Sequence, residues 1–185
     1  MKRFAWFASF AVVLVSAGLV LAQNKGAQKP SKDTNSLEGQ KAPEIALKTM
    51  DGKELKLSEQ TGKVVLVDFW ATWCPPCRKS LPHVQELSEN KEYAEKGLVV
   101  WAVNAHEEQP KVKDFLTQNK YSFTVPMDAS GNTMKKYMVQ GIPTTILVGR
   151  DGKIRKVFVG YGDGSAQQID EAVKSALDEK PSTPA

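Results

Sequence analysis

Cys74 and Cys77 are the two cysteines of this chain of 185 residues, and they sit in VVLVDFWATWCPPCRKSLP, residues 64–82. Two thiols separated by two residues support reversible dithiol–disulfide exchange, metal ligation or a structural staple. A disulfide across so short a loop removes little entropy from the unfolded chain, which weighs against the staple. Zinc requires four ligands, and the other usual donors, His83 and His106, match no finger spacing. Haem attachment requires histidine after the second cysteine, where Arg78 stands.

A helix starting just after the apolar run places Cys74 at its cap and Cys77 one turn inside. Unpaired N–H groups and the positive end of the helix dipole favour an anion there, so Cys74 is expected to be the more acidic thiol and the nucleophile. Pro75 and Pro76 are tolerated in a first turn, but each removes a donor that could have served the Cys74 thiolate. Asp68 stands among Val64, Val65, Leu66, Val67 and Phe69. On a buried strand its carboxyl loses hydration and its pKa rises, which suits it to exchange a proton with Cys77, the less exposed thiol. An exposed strand end is the plain alternative for Asp68.

The surrounding pattern supplies the elements that must hold these groups. Runs 63–69 and 98–104 are nearly all apolar, as expected of central strands, and Leu81, Val84 and Leu87 mark a helix between them. Strand, helix, strand implies a right-handed crossover and parallel pairing. A second helix is expected over 109–119 with Val112, Phe115 and Leu116 on one face, then a short strand over 123–127. Asp51-Gly52 and Asp151-Gly152 mark two hairpins, 45–57 and 144–159. Ser165-x-x-Gln168 has capping-box spacing ahead of a stripe formed by Ile169, Ala172, Val173, Ala176 and Leu177. The class is α/β.

Lys2 and Arg3 precede an uncharged run from Phe4 to Ala22, so residues 1–22 read as a signal peptide or a signal anchor. Residues 23–38 read as a flexible polar linker, 39–178 as the folded domain and 179–185 as a disordered tail. Without Lys2 and Arg3 the chain carries 23 basic against 21 acidic residues, and its lysines are scattered, so no nucleic-acid partner is expected.

With Asp68-Phe69-Trp70-Ala71-x-Trp73-Cys74-x-Pro76-Cys77 followed by Pro82, the sequence resembles thioredoxin. The export segment, the early hairpin and the long stretch between Asn104 and Gly141 make it most similar to the TlpA-like extracytoplasmic thiol-disulfide oxidoreductases, members of the redoxin-type branch. That resemblance implies a thioredoxin fold: a central mixed β-sheet flanked by helices, with an N-terminal β-hairpin and an insertion before the penultimate strand. It implies that Pro143, in Gly141-Ile142-Pro143-Thr144-Thr145, follows a cis peptide bond beside the cysteines, with the Ile142 backbone open to an extended substrate. Trp73 is implied to flank the site, although core packing would also suit it. Pro82 matches the family's helix-interrupting proline.

The expected reaction is exchange with disulfide-bearing substrate proteins, Cys74 attacking, Cys77 resolving and Asp68 assisting Cys77. No cofactor and no metal are expected. The family relation implies a reductase outside the cytoplasm, in the periplasm or secreted, supplied with electrons by a membrane thiol-reducing system, with the N-terminal segment either cleaved or kept as an inner-membrane tether. Ser80 departs from the glutamate that cytochrome c maturation members carry at that place, which puts dedicated haem-pathway duty in doubt. Two other readings stay open. A Cu(I) metallochaperone could use both thiols and His106, although copper-delivery relatives space their cysteines one residue wider; a disulfide-forming oxidase would run the same chemistry backwards. A peroxidase is disfavoured because Ala71 stands where its nucleophile expects threonine.

Overall fold

A computed structural model of the chain describes residues 33–180. The signal or anchor expected over 1–22, the linker expected over 23–32 and the tail expected over 181–185 lie outside the described residues. Among the described residues no helix is long and apolar enough to cross a membrane.

The domain opens with a 3-10 turn, Thr34–Leu37, then an antiparallel hairpin of β1 (Ala46–Lys48) and β2 (Glu54–Lys56). Gly52 turns this hairpin at φ +83°, a conformation that glycine adopts without a side-chain clash. β3 (Val64–Trp70) is buried at every position and pairs in parallel with β4 (Leu98–Ala105), Val64 opposite Leu98 and Trp70 opposite Asn104. The crossover between them is α1 (Pro75–Glu89) and the short α2 (Lys91–Glu95). α3 (Gln109–Asn119), β5 (Met127–Asp128) and α4 (Asn132–Lys136) fill the insertion. β6 (Thr144–Val148) then runs antiparallel to β3, β7 (Ile154–Val159) pairs antiparallel with β6, and α5 (Ser165–Asp178) closes the chain. The sheet order is β5-β4-β3-β6-β7, a five-stranded mixed sheet and the thioredoxin arrangement.

Period-two alternation along β3 divides the core. Val64, Leu66 and Trp70 face one side, with Leu81 and Val84 of α1, Val112 and Leu116 of α3, and Ile169 and Val173 of α5. Val65, Val67 and Phe69 face the other, against Ile45, Trp101 and Tyr137.

Several expectations need correction. Residues 33–38 are not a free linker: Leu37 is buried, the Thr34 hydroxyl donates to the Met138 carbonyl at 2.7 Å, and Glu38 Oε1 accepts from the Val157 N–H at 2.8 Å. Short-range composition reads this stretch as polar tether, whereas its partners lie more than 100 residues away. Glu179, placed in the frayed tail, is ion-paired with Arg155 at 2.7 Å. The strand expected over 123–127 shrinks to a bridge between Thr124 and Trp101 and the two residues of β5, because Pro126 has no N–H to donate. Ser165 forms no capping box: Gly164 is the cap residue, and the Ser165 hydroxyl accepts from the Gly162 N–H at 2.9 Å.

At the end of the sheet away from the cysteines, Arg150 ties three segments together. Its guanidinium donates to the carbonyls of Gly62 at 2.9 Å, Lys96 at 2.8 Å and Leu177 at 3.0 Å. Lys96 caps the C-terminus of α2 and Leu177 lies in the last turn of α5, where carbonyls lack helical partners and a cation is favoured. Arg150→Ala is expected to lower unfolding free energy by about 2 kcal/mol in urea titrations, and Arg150→Lys to recover less than half, since an ammonium cannot span the three carbonyls. Equal stability of all three proteins would remove this role.

Candidate active site

The cysteine loop begins where β3 runs out. Trp70, the last strand residue, is fully buried, donates from its indole N–H to the Ala102 carbonyl at 3.1 Å and lies against Phe115 and Phe123. The Cys74 N–H returns to the Ala71 carbonyl at 3.2 Å, and Cys74 becomes the cap of α1 with Pro75 and Pro76 in its first two positions. The prolines sit where helical N–H groups have no partner to lose, and the first N–H after them, that of Cys77, donates to Cys74 Sγ at 3.2 Å. The two cysteines are joined in a disulfide. Cys74 is 2 % exposed and Cys77 0 % exposed, so Cys74 is the less completely buried of the two, as expected, but it does not stand at an open tip.

Two neighbours of Cys74 matter here, the Ile142–Pro143 segment in space and Trp73 in sequence. The Ile142–Pro143 peptide bond is cis, and the Ile142 carbonyl oxygen is 3.6 Å from Cys74 Sγ. In the disulfide that sulfur carries no hydrogen, so this is a contact; a reduced Cys74 thiol would have a weak acceptor there. The Gly160 N–H donates to the Pro143 carbonyl at 2.8 Å, fixing the segment to the end of β7. Trp73 is 58 % exposed, which removes its reading as core packing.

Asp68 is fully buried, not a strand end. Alternation puts it on the face of Leu66 and Trp70, the face whose core includes Cys74, Cys77 and Leu81. Its Oδ1 accepts from the Thr145 hydroxyl at 2.7 Å, the residue opposite it on β6, and Oδ2 has no partner among the described residues. Burial pushes the carboxyl up to about 7 against the opposing effect of the Thr145 hydrogen bond.

The remaining candidates separate. His106 follows β4 at φ +59° with its ring against Gly131 and is exposed, and the structure does not join it to the cysteines. His83 pairs with Asp170 at 2.9 Å between α1 and α5. Ser80 is buried, its hydroxyl donating to the Cys77 carbonyl at 2.9 Å. Pro82 lies inside α1, where its missing N–H leaves the Arg78 carbonyl without the usual helical partner. Among the described residues no group of three or more His, Cys, Asp and Glu side chains converges as a metal site would need. Glu107, which the sequence offers only as a neighbour of His106, holds the N–H and hydroxyl of Thr72 with its carboxylate, both at 2.6 Å. Its one sequence signal was a carboxylate at the C-terminal end of a central strand, where open α/β sheets place their sites.

Comparison with known proteins agrees with this geometry. The Redoxin family profile matches residues 37–174. A thiol-disulfide oxidoreductase ResA of Bacillus cereus is 35 % identical over 144 residues, covering 78 % of this chain and 81 % of its own length. A ResA of Halalkalibacterium halodurans is 34 % identical over 172 residues, covering 92 % of each chain. A crystal structure from Chlorobium tepidum, carrying the provisional name thiol:disulfide interchange protein DsbE, superposes with a TM-score of 0.70 at 38 % identity, covering 76 % of this chain and 97 % of that one. Sequence, fold and a cysteine pair closed at a helix cap converge: the chain belongs to the Redoxin family of the thioredoxin superfamily and is a thiol-disulfide oxidoreductase.

Proposed function

We propose that the protein reduces disulfides of substrate proteins outside the cytoplasm, with Cys74 as nucleophile and Cys77 as resolving thiol. The observation that carries this reading is the Cys77 N–H aimed at Cys74 Sγ from the first turn of α1. In the reduced protein that donor and the helix terminus favour a thiolate on Cys74. The Cys74 thiolate attacks a substrate disulfide, forming a mixed disulfide and releasing one substrate thiolate. Cys77, deprotonated, then attacks Cys74 Sγ, closing the disulfide seen here and releasing the second substrate thiolate. Two electrons pass to the substrate, the Cys77 proton goes to its acceptor, and the two substrate thiolates take up protons from that acceptor and from solvent.

Asp68 is the proposed proton acceptor for Cys77, directly or through a water. A carboxyl displaced to about 7 exchanges protons near neutrality, and among the described residues none of opposite charge is hydrogen-bonded to it. Ile142, Pro143 and Trp73 form the proposed substrate face: the Ile142 carbonyl lies 3.6 Å from Cys74 Sγ, and Trp73, the residue before Cys74, is exposed. The uncharged run 4–22 supports export and an optional membrane tether, and regeneration requires two electrons from a thiol donor, proposed to be a membrane thiol-reducing system. Residues 39–178 remain the proposed catalytic unit, extended by the ordered residues from Asp33. The copper reading is not favoured, since the named relatives are thiol-disulfide oxidoreductases.

Direction is read by equilibrating the Cys74–Cys77 couple with a glutathione or dithiothreitol buffer. A reductase requires a potential nearer about −270 mV than about −120 mV, and a value at the oxidising end assigns the protein as an oxidase. The raised Asp68 pKa has a second consequence. Its protonated form suits the core and its ionised form does not, so the associated stability is fully present below the unfolded pKa, near 3.8, and is lost as pH rises through about 7. Between pH 5 and pH 8 the unfolding free energy of the wild type should fall by about 2 to 3 kcal/mol relative to Asp68→Asn. Parallel pH profiles of the two proteins would show that Asp68 is not displaced.

A further inference from the structure

Glu107 is a buried acid that the exchange chemistry leaves without a role. Its side chain is 2 % exposed. Oε2 accepts from the Thr72 N–H at 2.6 Å and from Asn104 Nδ2 at 3.0 Å; Oε1 accepts from the Thr72 hydroxyl at 2.6 Å and pairs with Lys111 Nζ at 2.7 Å. Burial opposes its charge, but the hydrogen bonds from Lys111, Thr72 and Asn104 outweigh it and hold the carboxyl below its ordinary range.

Thr72 lies two residues before Cys74, and its carbonyl is also engaged, accepting from Arg78 Nε at 2.8 Å. All three polar groups of this one residue are therefore held, two of them by a single carboxylate. Charge-assisted bonds to both the N–H and the hydroxyl fix the orientation of the residue as well as its position. The next residue, Trp73, is exposed and supplies little packing to hold the loop. Cys74 must nevertheless present Sγ to the Cys77 N–H at 3.2 Å and to the Ile142 carbonyl at 3.6 Å.

We propose that Glu107 is a positioning residue of the redox centre, which clamps Thr72 and thereby holds Cys74 in the helix-cap geometry that favours its thiolate. Glu107 touches neither sulfur and acts through Thr72. The inference rests on Cys74 being the attacking thiol.

Two simpler roles make different forecasts. A purely structural tie between the end of β4 and the loop would change stability and leave the thiol untouched. A purely electrostatic role runs the other way: removing a carboxylate near Cys74 would ease ionisation and lower its midpoint. Loss of the clamp raises it.

The test uses the reduced full chain and its variants Glu107→Ala, Glu107→Gln and Thr72→Val, each checked for folding by circular dichroism. Iodoacetamide alkylation is followed against pH, and the labelled residue is located by peptide mapping. Glu107→Ala is expected to raise the Cys74 midpoint by about one pH unit, slowing alkylation at neutral pH about tenfold. Glu107→Gln, whose carbonyl still accepts from Thr72, should recover most of that loss, although it carries no charge. Thr72→Val, which keeps the backbone donor, should shift the midpoint in the same direction by less. An unchanged or lowered midpoint in folded Glu107→Ala overturns the inference, whatever happens to stability. If that variant does not fold, a wild-type midpoint in Thr72→Val overturns it. Failure of the underlying assignment is distinct, because wild-type protein would then be labelled at Cys77.

Discussion

One backbone N–H organises this protein. After Pro75 and Pro76 the first donor that α1 offers belongs to Cys77, and it points at the sulfur of Cys74. A helix terminus leaves its first N–H groups without partners, and the prolines reduce the free ones, so the remaining donor is committed to the cap residue. The sulfur that caps the helix belongs to the less completely buried cysteine, 2 % exposed against 0 % for Cys77, and lies 3.6 Å from the Ile142 carbonyl oxygen. Acidity and access are therefore assigned to the same atom by the same turn of chain.

The sheet serves that turn at some expense to its own stability. β3 must be buried on both faces to lie at the centre of the sheet, yet it carries Asp68 on the face shared with the cysteines. Thr145, opposite it on β6, supplies one hydrogen bond, and the second carboxylate oxygen has none among the described residues. An unpartnered buried polar atom is costly in a core and useful beside a group that must give up a proton. At the other end of the sheet Arg150 gathers carbonyls from three segments.

Much of this was legible in the residues. The unbroken apolar runs became β3 and β4, the 109–119 stripe became α3 with those bounds, and the spacing of the cysteines behind a strand placed Cys74 at a cap. What escaped depends on partners distant in sequence. Thr72 and Glu107 are 35 residues apart and meet only because β3 and β4 pair in parallel, and Glu38 finds the edge of β7 across 119 residues. The Ser165 spacing misled because Gly164, at φ +78°, turns the chain one residue earlier and takes the cap itself. The cis bond before Pro143 has no local signal strong enough to identify it and came from the family resemblance alone.

The central claim is that the helix terminus holds Cys74 as a thiolate at neutral pH. Titrating the ultraviolet thiolate absorbance of the reduced protein, with Cys77→Ser to isolate the signal, tests it most directly. The account predicts a midpoint clearly below the value of about 8.5 for a free cysteine, and a midpoint at or above that value would contradict it.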